Sequence, residues 1–139
     1  MIVLDTNVLS EILRPAPDAR PLAWLEAQSR GSLFTTAVTQ AELLYGVQLL
    51  PSGQRKAVLQ QALEAIFETD MAGQTLDFDA EAARSYADIA ASRKAAGKPI
   101  SQFDAMIAAI TRSRGARLAT RNVKDFEGCG IQVIDPWSS

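Results

Sequence analysis

Met1-Ile2-Val3-Leu4-Asp5-Thr6-Asn7 opens the chain, and in it three apolar residues run straight into a carboxylate, a hydroxyl and an amide. That pattern predicts a short buried strand, Ile2–Leu4, ending in a cluster of polar groups. In open α/β sheets ligands collect at the carboxyl ends of the strands, so Asp5 is the first place to look for chemistry. Further strand candidates are Leu33–Thr36, Thr75–Leu76, Arg117–Ala119 and Gln132–Ile134. Between them the pattern changes to helical period. Helices are expected from Pro21 to Gln28, from Ala41 to Leu49, and from Gln54 to Phe67 with Leu59, Leu63, Ile66 and Phe67 on one face. Asp79 is the expected N-cap of a long Ala-rich helix with Tyr86, Ile89 and Ala90 inward, stopped by Gly97 and Pro99. A last helix runs from Gln102 to Ser113, with Phe103, Ile107 and Ile110 on one face. Strands alternating with helices predict an α/β fold, a parallel sheet covered on both faces.

Composition narrows the chemistry. With 139 residues and 47% apolar content the chain is expected to form one domain with a real core. There is no histidine and a single cysteine, Cys129. Acid–base or nucleophilic schemes built on His or Cys pairs are therefore excluded, as is a thiolate metal cage. Hydrolysis would have to come from carboxylates, hydroxyls or a metal held by oxygen. No apolar run approaches a membrane span, and the N-terminus lacks the basic start of a signal peptide, so a cytoplasmic location and no membrane partner are expected. The net charge of −2 conceals an asymmetry. Arg93, Lys94, Lys98, Arg112, Arg114, Arg117, Arg121 and Lys124 face a single acid, Asp104, in one stretch of charge +7, leaving −9 for the rest. Such asymmetry hints at a polyanion partner, although charge runs more often form solvated helix surface.

Each acid of interest has a plain structural reading. Asp5 could cap a helix. Thr39-Gln40-Ala41-Glu42 has the form of a capping box, and Ser101-Gln102-Phe103-Asp104 has the form of a helix start. Asp125 alone would be a loop acid. Together they are harder to dismiss. Asp5, Glu42 and the Asn122/Asp125 pair each follow an expected strand, so one edge of a parallel sheet would carry them all, and Asp104 could face the same crevice. Like charges in one cleft raise each other's pKa unless a cation neutralises them. A hard divalent ion with oxygen ligands, Mg²⁺ or alternatively Mn²⁺, would do so and suits phosphate chemistry.

Four elements, Asp5-Thr6-Asn7, Thr39-x-x-Glu42-Leu43-x-x-Gly46, Asp104 at a helix start, and Thr120-x-Asn122-x-x-Asp125-Phe126, together resemble the PIN-domain nucleases. Within them the chain is similar to the VapC toxins of type II toxin–antitoxin modules, in the FitB-like branch, as is the ending Ile134-Asp135-Pro136-Trp137. The resemblance covers essentially all of residues 1–139, a single PIN domain. It implies a three-layer α/β/α fold around a parallel sheet of four or five strands. It also implies a Mg²⁺-dependent endoribonuclease that leaves 5′-phosphate and 3′-hydroxyl ends. Asp5, Glu42 and Asp104 match the family's acidic triad and would hold the metal. The fourth acidic position falls on Asn122, with Asp125 three residues on, so either would complete the site. Thr6 and Thr120 match hydroxyl positions that orient the carboxylates. Arg121 and Lys124, beside Asn122 and Asp125, would hold the RNA backbone together with Arg112, Arg114 and Arg117, since phosphate contacts position without reading sequence. The implied partners are RNA and a VapB-like antitoxin, in a homodimer or a dimer of heterodimers, the antitoxin docking near Trp24 and Leu49.

Two rivals stand beside this reading. The apolar strand ending in Asp-Thr-Asn-Val is also similar to the start of haloacid-dehalogenase-like phosphotransferases, in which Asp5 would be a covalent nucleophile, but their second Asp and later acidic element are missing. A non-catalytic binding module on the same scaffold is the other.

Overall fold

The computed structural model describes residues 1–138. Five strands, β1 (Ile2–Leu4), β2 (Leu33–Thr36), β3 (Thr75–Leu76), β4 (Arg117–Ala119) and β5 (Gln132–Ile134), form one parallel sheet in the order β3-β2-β1-β4-β5. Every strand lies where the apolar segments placed it. The central β1 is buried on both faces, which is why it reads as a continuous apolar run. Its side chains alternate. Ile2 and Leu4 join Val8, Leu9, Ile66, Met71 and Trp137 in one cluster, while Val3 joins Val38, Ile89, Ile107, Ile110, Leu118 and Phe126 in the other.

Among the described residues are six α-helices: α1 (Thr6–Ile12), α2 (Ala19–Glu26), α3 (Ala37–Gln48), α4 (Gln54–Ala65), α5 (Ala80–Ala95) and α6 (Gln102–Ser113). Helices α5 and α6 pack against each other and cover the Val3 side of the sheet; α1 contributes Val8 and Leu9 to the other side. The result is the expected three-layer α/β/α arrangement. Asp79 caps α5, its carboxylate accepting from the Ala82 amide at 3.0 Å, and Gly97 follows the last turn at φ 73°, a left-handed conformation that glycine adopts without steric cost. Ser101 caps α6, accepting from the Asp104 amide at 3.3 Å. Ala105, Ala108 and Ala109 are buried on α6 with little side-chain bulk, which lets it lie close to its neighbours. No helix among the described residues is long and apolar enough to cross a membrane.

Several expectations need correction. No range was expected for helix α1, although the reading of Asp5 as a helix cap holds: Asp5 is its N-cap. Its first residues, Thr6 and Asn7, are poor helix formers, and it spans only seven residues. Helix α3 begins at Ala37 rather than Ala41, because Thr36, the last residue of β2, is itself the N-cap and accepts from the Thr39 amide at 3.0 Å. Thr39 and Glu42 therefore form no capping box. Glu42 lies in the second turn with its carboxylate available to other partners. Phe103 is 49% exposed, because the buried run of α6 begins only at Ala105. Helix α4 ends at Ala65, and Ile66–Asp70 wind on as a π turn.

The basic stretch loses one member to the interior. Arg93, on α5, is buried, and its guanidinium donates to the carbonyls of Lys98, Asp125 and Glu127 at 2.7, 2.8 and 3.0 Å. It ties the loop after α5 and the segment after β4 to the helix layer, and is not free to bind a phosphate. Arg93→Ala leaves those carbonyls without their charged donor, so it is expected to destabilise the fold by about 3 kcal/mol. Urea denaturation at neutral pH measures this, and a loss below about 0.5 kcal/mol, ordinary for a surface substitution, would contradict the assignment.

Candidate active site

The register of the central strands builds the site. In the β1–β4 pair Leu4 lies opposite Ala119, and the Asp5 amide donates to the Ala119 carbonyl at 2.9 Å. The next residue on each strand, Asp5 and Thr120, therefore emerge side by side at the carboxyl edge. Chain order reverses here, since β2 and β3 lie to one side of β1 and β4 and β5 to the other. Such a switch point is where a crevice opens in a parallel sheet.

Asp5 is only 4% exposed. One carboxylate oxygen accepts from the Thr6 amide at 2.8 Å; the other accepts from the Thr120 hydroxyl at 2.8 Å and from Asn7 Nδ2 at 3.3 Å. Asn7 Nδ2 also donates to Thr120 Oγ1 at 3.1 Å, and Asn7 Oδ1 accepts from the Arg121 amide at 3.2 Å. Glu42 arrives from α3, which packs on α1. Its Oε1 accepts from the Thr6 hydroxyl at 2.8 Å, and Thr6 Oγ1 lies 3.0 Å from the buried Thr39 hydroxyl. Asp104, half-buried in the first turn of α6, supplies a third carboxylate. All three line one open cleft of ≈ 510 Å³, together with Thr6, Asn7, Ser10, Glu11, Arg14, Arg121, Asn122 and Trp137.

The electrostatics fit a shared acidic site. Burial pushes Asp5 up to about 6; the Thr120 and Thr6 donors pull it back, and the charges of Asp104 and Glu42 raise it further. Asp104 is also raised, by burial first, with the charge of Asp125 adding to it and the Ser101 hydroxyl and Arg93 opposing. The donor set is all oxygen. Among the described residues no three carboxylate or thiol groups close tightly enough to enclose a metal ion by themselves. An open cleft with dispersed carboxylates suits a hard cation that keeps several waters and takes substrate phosphates as ligands, as Mg²⁺ does, and does not suit an all-protein cage.

Known proteins carry the same frame. A PIN domain model matches residues 2–127. The chain belongs to the PIN-domain family. It is 44% identical over 137 residues to the VapC ribonuclease Y4jK of Sinorhizobium fredii, covering 99% of this chain and 98% of that one. It is 41% identical to the toxin FitB of Neisseria gonorrhoeae, with 99% of each covered. Among solved structures it superposes on FitAB bound to a DNA fragment with a TM-score of 0.93 and 39% identity, covering 99% of this chain and 96% of that one. PIN-domain nucleases are generally dependent on a divalent metal. Membership of this family sets aside the dehalogenase-like alternative.

In this PIN domain the cleft gathers Asp5, Thr6, Glu42, Asp104, Arg121 and Asn122 of the residues singled out from the sequence, and Thr120 lies directly behind Asp5. Asp125 does not line the cleft. It sits in the 3₁₀ turn Val123–Phe126, near enough to Asp104 to raise its pKa. Lys124, in the same turn, is exposed outside the cleft wall. The remaining arginines are elsewhere. Arg117 starts β4, about 10 Å of strand away from Thr120. Arg114 pairs with Asp79 at 3.5 Å, and Arg112 packs against Gly130. Of the other lining residues, Ser10, Glu11 and Arg14 had no part in the sequence reading, and Asn7 and Trp137 entered it only within longer motifs, with no role of their own. Asn7, Ser10, Glu11 and Arg14 are spaced i, i+3, i+4, i+7, a polar stripe that runs along α1 and just past its end, and it only becomes legible once the segment is seen to be helical. Glu11 is buried in this stripe and accepts from the Asp18 amide at 3.0 Å.

The raised Asp5 pKa gives a sign for the metal-free protein. The neutral form is favoured by folding, so this residue's stabilising contribution is complete below about pH 4 and lost as pH rises through about 6. Asp5→Asn, which stays neutral, should gain stability relative to the parent protein between pH 4 and 7, by on the order of 3 kcal/mol. Denaturant titrations of both proteins in a chelator measure this, and a difference that does not change with pH would refute it.

Proposed function

We propose that this cleft is the catalytic centre of a divalent-cation-dependent endoribonuclease, the toxin of a VapBC-type toxin–antitoxin pair, acting in the cytoplasm. One observation carries the reading: Asp5 at the end of β1, Glu42 on α3 and Asp104 on α6 line a single open cleft at the switch point of the sheet. The ribonuclease name of the Sinorhizobium relative and the toxin name of the Neisseria relative support it. We take residues 1–139 as one PIN domain, Asp5, Glu42 and Asp104 as the metal-holding acids, and Mg²⁺ as the preferred ion, with Mn²⁺ an acceptable substitute.

A bound cation supplies a polarised phosphate oxygen and a water whose pKa is lowered toward neutral. The chain's own residues prepare for it. Thr120, Asn7 and the Thr6 amide hold Asp5 in one orientation, and the Thr6 hydroxyl holds Glu42, so neither carboxylate has to be ordered on binding. Positive charge in the cleft favours the ionised form of Asp5 at neutral pH. Arg121 is the basic side chain on the cleft wall beside Asn122, and we assign it to the RNA backbone, with Lys124 farther out. An acidic cleft of this kind also accepts an inserted arginine from an antitoxin, since a guanidinium matches carboxylates bidentately. The likeness to the FitB component of the FitAB complex supports an antitoxin partner.

Asp5→Asn and Asp104→Asn should each lower RNA cleavage by well over about 100-fold, beyond the loss typical of a residue that only supports a ligand, while Thr120→Val should cost about 10–100-fold. Folded variants that cleave total RNA like the parent in Mg²⁺ would overturn the assignment. At the fourth position the cleft favours Asn122, so Asn122→Ala should slow cleavage more than Asp125→Ala across a Mg²⁺ titration. The opposite order would give Asp125 the role.

A further inference from the structure

Trp137 is 5% exposed and lines the cleft, and its indole Nε1 is the one buried side-chain nitrogen or oxygen among the described residues that finds no hydrogen-bond partner. An orphaned buried donor costs on the order of 1–3 kcal/mol, a penalty that a phenylalanine in the same place would not incur. The ring itself is used. The Arg121 guanidinium carbon lies over it, 5.2 Å from its centroid. Among aromatic rings indole attracts a cation most strongly. Arg121 makes no ion pair among the described residues, whereas the neighbouring cations Arg14 and Arg20 are held by Glu11 and Asp18. Its backbone is fixed by the hydrogen bond that the Arg121 amide donates to Asn7 Oδ1, so the remaining freedom is in the side chain, and the indole face constrains it. The indole in turn is set by its burial against β1 and α1 and by the Trp137 amide, which donates to Asp135 Oδ1 at 2.9 Å.

We infer that Trp137 is a positioning residue for RNA: its ring holds Arg121 at the mouth of the acidic cleft to receive a backbone phosphate. An Arg121 side chain free to swing toward Asp5, Glu42 and Asp104 would otherwise be drawn into the cleft and occupy the cation's place. Stacked on the indole, it remains charged and open to a phosphate while the acids remain open to metal. The inference rests on the nuclease reading above and goes beyond it, since it gives the segment after β5 a function in substrate binding.

The test is a double-mutant cycle on Arg121 and Trp137. Affinity for a fluorescein-labelled single-stranded RNA oligonucleotide is measured in a chelator, where no cleavage proceeds, and kcat and KM are measured in Mg²⁺. Trp137→Leu should weaken RNA binding by about two- to thirty-fold, the range of one cation–π contact, and raise KM with little change in kcat. In an Arg121→Ala background the same substitution should have no further effect, and Trp137→Phe should recover part of the affinity. An equal loss in both backgrounds, or no loss with Arg121 present, overturns the inference. A second readout needs no core substitution. Of the two indole N–H resonances of the chain, from Trp24 and Trp137, that of Trp137 should shift on adding the oligonucleotide to the parent protein and stay still in Arg121→Ala; a resonance that ignores RNA in the parent overturns the inference. Failure of the nuclease reading would look different, as a parent protein that cleaves no RNA at any Mg²⁺ level.

Discussion

The carboxylate of Asp5, buried at the end of the central strand, is the constraint around which the rest of the molecule is arranged. A charge taken out of water needs donors or a counter-ion. The β1–β4 register delivers the first donor, because Thr120 is the residue beside Asp5 when Leu4 pairs with Ala119. The turn of chain into α1 delivers the second, the Thr6 amide, and Asn7 a third. Even so the donors do not offset burial, and the group remains raised to about 6. The fold thus holds a carboxylate that is incompletely compensated, and Glu42 and Asp104 make the imbalance larger. That is a poor way to stabilise an isolated domain and a good way to attract a cation.

Thr6 and Thr120 connect the layers. One hydroxyl reaches across from α1 to Glu42 on α3, the other from the residue after β4 to Asp5, the residue after β1. Both are short, stiff side chains, so the spacing of the acids follows from the packing of helices and strands and not from flexible loops. Precision of this kind is what a site needs if its carboxylates are to be in place before metal and substrate arrive.

The basic stretch shows how one sequence signal can divide into several physical roles. Arg93 is a buried staple for three carbonyls, Arg114 pairs with Asp79, and Arg117 stands at the start of its strand. Only Arg121 reaches the cleft wall, and its partner there is the ring of Trp137, from the far end of the chain. Charge counted along a sequence measures none of this, because neighbours in sequence on a helix or strand point to different surroundings.

The strands were legible because a strand buried on both faces must be apolar throughout, and each such run ends where polar residues begin. The caps at Asp79 and Ser101 were legible for the same local reason, as was the position of Asp5 at a strand end. Three things were not. Helix α1 has weak propensity and is held by packing Val8 and Leu9 under the sheet, so its polar stripe of Asn7, Ser10, Glu11 and Arg14 stayed hidden. The identity of Glu42 as a partner of Thr6 and not a capping residue depended on where β2 hands over to α3. The meeting of Trp137 with Arg121 depended on β5 pairing with β4. Local propensity and periodicity decide which segments are strand or helix and which acids stand at their ends. Which of those acids share a cleft, and which cation faces them, is decided by strand order and register, because these bring together residues separated by up to 115 positions whose proximity no local pattern encodes.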